Sequence, residues 1–123
     1  MRLIKFLIGR MKSFGPAFQG ISYILKNEKN TWVHLAASIV AVIFIFLFKL
    51  NYIETLFFIS AIFIVWISEI FNSAIEYTLD FIHPEKDSKI KMIKDISAAG
   101  VLLSASYALL VAFIIILSRL TSS

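Results

Sequence analysis

The chain has 123 residues, of which 59% are hydrophobic and 16% charged, with a mean hydropathy of +0.87 and a net charge of +4. Soluble domains carry about 25% charged residues, so this composition excludes both disorder and a soluble enzyme with a Rossmann-sized sheet, and the length allows one domain. There is no cysteine, which excludes disulfides and thiolate metal ligation; the composition points to a small integral membrane protein.

In residues 1–30, Leu7, Met11, Phe14, Phe18, Ile21 and Leu25 recur at spacings of three and four, with Arg10, Lys12, Ser13, Gln19, Ser22 and Lys26 mostly off that stripe. The spacing predicts an amphipathic helix lying in the membrane interface, kinked or divided at Gly15-Pro16. A cleaved signal peptide is not expected: Lys5 interrupts the apolar run from Leu3 to Ile8, and no small-residue cleavage site follows.

Three apolar stretches follow, at 31–50, 55–79 and 96–118. Each is long enough to cross a hydrocarbon core of about 30 Å as a helix. The runs are continuous rather than alternating, which argues against a β-barrel. Residues 80–95 form the connection between the second and third spans. Ten of the 12 Lys and Arg residues lie in the N-terminal segment and this connection, leaving only Lys49 and Arg119 for the opposite side. The bias predicts a cytoplasmic N-terminus and 80–95 loop, with the turn at Asn51 and the C-terminus outside.

The second span carries the chemistry. At 100° per residue, Glu69, Asn72, Glu76 and Asp80 fall within an arc of about 80°. A carboxylate at membrane depth costs on the order of 2.5–3.5 kcal/mol, so two on one face require a compensating partner, and intramembrane acids point to function. A polar packing seam, with Asn72 hydrogen-bonding between helices, is the plain structural alternative. The topology also brings Glu28, Lys94 and Asp95 to the cytoplasmic face. Asp95 is expected to cap the third span. Carboxylates, an amide and a lysine at one membrane surface suit a magnesium–phosphate site. Glu28 and Glu76 are candidates for the ion and Lys94 for phosphate. Glu69 lies about 10 Å deeper than Glu76, where a base would suit a lipid hydroxyl. Neither GxxxxGK[ST] nor GxGxxG is present.

These residues resemble the prokaryotic diacylglycerol kinase family, small three-span membrane kinases that include undecaprenol kinases. The resemblance runs from about Phe14 to Leu117. It rests on Glu69-Ile70-Phe71-Asn72-Ser73-Ala74-Ile75-Glu76 with Asp80, on Lys94-Asp95-Ile96-Ser97-Ala98-Ala99-Gly100-Val101, and on Ala17-Phe18-Gln19-Gly20-Ile21 with Asn27-Glu28. It implies an all-α integral membrane fold: three transmembrane helices, an N-terminal surface helix, and a homotrimeric bundle with active sites shared between subunits. It also implies a bacterial inner membrane and a cytoplasmic site. By resemblance Glu69 is the catalytic base, and Glu28 and Glu76 hold Mg2+. Asn72, Lys94 and Asp95 serve the nucleotide, ATP. Glu85-Lys86-Asp87 occupies the place of the family's nucleotide-contacting loop, though its residues depart from the pattern, and Arg10 corresponds to an N-terminal arginine that touches nucleotide and lipid. Ala98, Ala105 and Ala112, with Ala108 beside them, offer a close-packing face for the oligomer.

The run Asn27-Glu28-Lys29-Asn30, with His34 after it, is similar to the undecaprenol kinase branch, whereas enterobacterial diacylglycerol kinases have an acidic residue at the position of His34. The expected acceptor is therefore undecaprenol first and diacylglycerol second. No nucleic-acid partner is expected. The competing reading is a small oligomeric cation or proton transporter or channel, its path lined by Glu69 and Glu76; such a path does not require Glu28 or Lys94-Asp95.

Overall fold

The computed structural model describes residues 1–122. Five helices follow one another: α1 (Arg2–Lys12), α2 (Phe14–Asn27), α3 (Lys29–Leu47), α4 (Tyr52–Ile82) and α5 (Ser88–Thr121). No strand occurs among the described residues. The chain divides into two compact units, one from Met1 to Val33 and one from His34 onward.

In the first unit the amphipathic segment forms two helices that meet at Ser13, a turn earlier than the expected interruption at Gly15-Pro16. The cause is still Pro16. It has no N–H, and its ring excludes the carbonyl four residues back, that of Lys12, where α1 ends. Pro16 itself sits in the first turn of α2, where backbone N–H groups have no intrahelical partner to lose. Ser13 keeps helical angles (φ −68°, ψ −22°), and its hydroxyl donates to the Gly9 carbonyl at 3.3 Å. No residue of α1 is buried. Leu3, Ile4, Leu7, Ile8 and Met11 are all exposed, an apolar face that requires a non-aqueous neighbour.

In the second unit α4 and α5 pack side by side and are fastened at three levels. At one end Arg119 pairs with Glu54, its Nε donating to Oε2 at 3.0 Å. Midway, Ser60 Oγ and Tyr107 Oη are 3.2 Å apart. At the other end Lys94 Nζ lies 2.6 Å from Asp80 Oδ1. From His34 onward, α3 meets α4 through longer side chains. Phe44 stacks on Phe58 with centroids 5.4 Å apart, and Trp66 Nε1 donates to Ser38 Oγ at 2.8 Å. The buried apolar cluster is small: Phe58, Val111 and Ile115, flanked by partly buried neighbours that include Phe44, Tyr107 and Ala112. Large apolar side chains instead cover the outside, Phe46 at 77% and Leu109 at 72% exposure among them. A surface of this kind suits lipid, and α3, α4 and α5 are each long and apolar enough to cross a membrane.

Helix ends fall where capping chemistry allows: α4 and α5 run past the apolar spans at both ends, while α3 stops at Leu47, short of the expected residue 50. Asn51 caps α4: its side chain accepts from the Glu54 N–H at 2.9 Å, and the Glu54 carboxylate accepts from the Asn51 N–H at 3.0 Å. The turn before it passes through Lys49 at φ 49°, a left-handed conformation more often given to glycine. Helix α5 begins at Ser88, so much of 80–95 is helical. Its N-cap is Asp87, whose side chain accepts from the Lys89 N–H at 2.7 Å. Asp95, expected in that role, lies in the second turn and pairs with Lys91 at 2.7 Å. Of the alanines read as a close-packing face, Ala105, Ala108 and Ala112 are half-buried within the chain itself, and Ala98 is exposed.

Candidate active site

Helix α4 carries its polar residues as one stripe, and the structure grades that stripe from buried to exposed. Glu69 is 5% exposed, Asn72 and Glu76 are half-buried, and Asp80 is exposed near the helix end. Ser73, beside the stripe, is 1% exposed. A buried carboxylate needs a polar partner, and Glu69 meets His34, whose Nε2 lies 3.3 Å from Oε2. One helical step on, Asn72 Nδ2 makes a long contact of 3.5 Å to Glu76 Oε1. The amide oxygen of Asn72 is buried without a hydrogen-bond partner among the described residues. An unsatisfied buried acceptor is uncommon and asks for an explanation.

That orphaned oxygen tests whether the chain fits a hard cation. Asn72 Oδ1 and the Glu76 carboxylate are both hard oxygen donors, the type Mg2+ prefers. Protein sites for Mg2+ supply one or two carboxylates and leave the rest to water and substrate phosphate. Among the described residues no group of three or more His, Asp or Glu side chains converges, so the chain offers a partial oxygen set rather than a full cage. The residues fit the ion on these terms.

At the exposed end of the stripe the 83–87 connection and the adjoining helix ends enclose a cleft of about 550 Å3, lined among others by Asp80, Glu85, Lys86, Asp87, Lys91 and Lys94. Four of the expected nucleotide residues, Glu85, Lys86, Asp87 and Lys94, are thus gathered around one hollow. Two of its three lysines are already engaged, Lys94 by Asp80 and Lys91 by Asp95. A phosphate entering here would have to share Lys94 with Asp80. Asp95 points its carboxylate at Lys91 and does not line the cleft.

The remaining two expected residues belong to the first unit. Glu28 ends α2 with extended backbone (φ −108°, ψ 116°), and its carbonyl accepts from the Thr31 N–H at 3.2 Å. Arg10 sits on α1 with its guanidinium 5.2 Å from the Phe6 ring centroid.

His34 is the residue whose contact to Glu69 the sequence did not disclose. The two are 35 positions apart, and their meeting depends on how α3 is rotated against α4. The available signal was a lone imidazole in an apolar span facing a span with a lone deep acid.

A family model described as prokaryotic diacylglycerol kinase matches residues 15–116 of this chain. The chain is also 32% identical over 109 residues to an undecaprenol kinase of Bacillus subtilis (strain 168), the aligned region covering 89% of each protein.

Proposed function

From the premise that this chain belongs to the prokaryotic diacylglycerol kinase family, and is therefore a membrane lipid kinase, we propose that it transfers the γ-phosphate of ATP to undecaprenol, with diacylglycerol as second choice. The observation that carries the reading is the buried carboxylate of Glu69, on a helix able to span a membrane, eleven residues before the Asp80–Lys94 end of the same stripe. At 1.5 Å per residue the separation is about 16 Å. An acid at that depth is poorly placed for a soluble acceptor and well placed for a hydroxyl at the head of a lipid.

In this mechanism Glu69 accepts the proton of the lipid hydroxyl as its oxygen bonds to the γ-phosphorus and the bond to the β-phosphate oxygen breaks. Phosphoryl transfer needs little covalent help, so orientation and charge carry most of the rate. Glu76 and Asn72, with Glu28 on the family resemblance, would hold Mg2+, which when bound offsets charge on the phosphate oxygens. Lys94 contributes its ammonium to phosphate once it leaves Asp80. Glu85, Lys86 and Asp87 line the cleft for the rest of the nucleotide, and Asp95 supports that side through Lys91. Arg10 is assigned to nucleotide and lipid on the resemblance alone.

The acceptor order follows the Bacillus relative's name and the run Asn27-Glu28-Lys29-Asn30 with His34 beyond it. The reading also includes a homotrimer with shared sites, a bacterial inner-membrane location, and a cytoplasmic 80–95 connection, the last supported by the clustering of Lys and Arg. The test is purified protein with γ-labelled ATP, magnesium and a panel of lipid alcohols. Label on undecaprenol ahead of diacylglycerol is expected. The reverse order overturns the acceptor assignment; no labelled lipid, with ion flux in vesicles, would make the Glu69–Glu76 stripe a conduction path.

A further inference from the structure

We infer that His34 is a positioning residue for Glu69, fixing one oxygen of the carboxylate so that the other is presented to the acceptor hydroxyl; the inference rests on the reading of Glu69 as the general base.

Glu69 and His34 are both largely withdrawn from solvent, with side chains 7% and 19% exposed. Water is therefore a poor candidate for orienting the carboxylate. His34 Nε2 lies 3.3 Å from Oε2, an ion-pair approach, and an imidazole carrying its proton at Nε2 is within reach of that oxygen. The lone pairs of Oε1 then stay available for a proton.

His34 is itself held. The hydroxyl of Ser38, one turn further along α3, donates to the His34 carbonyl at 2.7 Å and accepts from Trp66 Nε1 at 2.8 Å. Trp66 lies three residues before Glu69 on α4 and meets the His34 ring edge-on, with centroids 6.4 Å apart and planes at 61°. His34, Ser38, Trp66 and Glu69 therefore close a four-residue circuit between two helices. The bond to Ser38 fixes the Trp66 ring, and that ring in turn flanks the imidazole that meets the carboxylate. Within the apolar stretches of the flanking helices, Leu35 to Leu47 of α3 and Ile96 to Ser118 of α5, there is no Asp, Glu, Lys, Arg or His to compete.

A purely structural histidine and a positioning one differ in what their loss does. Loosening the helix contact would affect stability and nucleotide affinity together. Loosening the base would lower turnover and leave nucleotide affinity alone. His34→Leu removes the donor. His34→Gln keeps an N–H donor on a side chain of similar reach. Both are to be compared, with Glu69→Gln and the His34→Leu/Glu69→Gln double variant, in purified full-length protein in one detergent. The readouts are kcat, the KM for ATP and the thermal midpoint.

His34→Leu should lower kcat by roughly 10- to 100-fold with the ATP KM within about twofold, and His34→Gln should recover most of that loss. In the Glu69→Gln background, His34→Leu should add nothing to the loss. If Glu69→Gln abolishes turnover while His34→Leu leaves kcat unchanged, His34 has no positioning role and the inference fails. It fails equally if His34→Gln is as poor as His34→Leu and both lower the thermal midpoint, or if His34→Leu costs the same factor in both backgrounds. Wild-type turnover in Glu69→Gln is a different failure: the base assignment falls, whatever His34 does.

Discussion

Lys94 Nζ and Asp80 Oδ1 stand 2.6 Å apart across the α4–α5 turn, so the lysine assigned to phosphate is also the fastener of the helix pair at that end. The two roles separate experimentally. The pair is solvent-accessible, and such pairs contribute about 0–1 kcal/mol. Lys94→Met should therefore change unfolding little while raising the ATP KM by roughly tenfold or more, the scale of a lost charge-assisted contact. The swapped variant Asp80→Lys/Lys94→Asp should restore the fastening without restoring ATP affinity. Recovery of affinity by the swap would show that Lys94 acts only as a clasp.

Glu69→Gln keeps shape and removes the proton acceptor. Turnover should fall by roughly 10²-fold or more with ATP affinity nearly unchanged. Glu76→Gln and Glu28→Gln should instead lose activity that excess magnesium partly recovers. Mixing Glu69→Gln protein with Glu76→Gln protein should regain some activity if neighbouring subunits share sites, and mass measurement in detergent should give a trimer. Equal losses, no magnesium response and no recovery on mixing would reduce the stripe to a packing seam. An active monomer would remove the shared site.

Topology is open to direct labelling because the chain has no cysteine of its own. A single cysteine replacing Lys89 should resist impermeant maleimide in intact cells and react after permeabilisation, while one at Ser122 should react from outside. The opposite pattern inverts the protein in its membrane.

The α3–α4 turn contains a strained residue and a good cap side by side. Lys49 adopts φ 49°. A side chain in the left-handed region costs about 1 kcal/mol relative to glycine, so Lys49→Gly should raise the thermal midpoint. Asn51→Ala, which removes half of the capping box, should lower stability by about 1 kcal/mol. Melting curves of both variants in the same detergent check the two signs. A lower midpoint for Lys49→Gly would mean that the lysine side chain contributes more than its backbone costs.

The three membrane spans were legible because a run of some twenty apolar residues has few other uses in a chain this short of charge. Helix ends were less legible, since hydropathy marks where lipid stops and not where hydrogen bonding stops. Asp95 sits at the edge of the apolar run and looked like a cap, but Asp87, two turns upstream, holds that position. The break in the amphipathic segment was read from Pro16, yet its effect falls on the carbonyl four residues earlier. Within the site, the Glu69–Asn72–Glu76–Asp80 stripe could be seen on a helical wheel because it belongs to a single helix. Glu69–His34 could not, because helix rotation decides it. Lys94–Asp80 was suggested only as two groups near one face, and their direct contact depends on the short 83–87 link that turns α5 back against α4.

Helix α4 has 31 residues and α5 has 34, lengths of about 46 and 51 Å at 1.5 Å per residue against a hydrocarbon thickness of about 30 Å. More than a turn of each helix therefore lies outside the hydrocarbon core. On the proposed reading, the nucleotide arrives by three-dimensional diffusion at a projecting, water-bathed helix turn, while the lipid arrives by two-dimensional diffusion along the flank of the same helix. Encounter rates for the two reactants then respond to different variables. ATP capture follows bulk concentration and ionic strength, and lipid capture follows the mole fraction in the bilayer, so diluting the acceptor with inert lipid should slow turnover even when the total acceptor per volume is held constant.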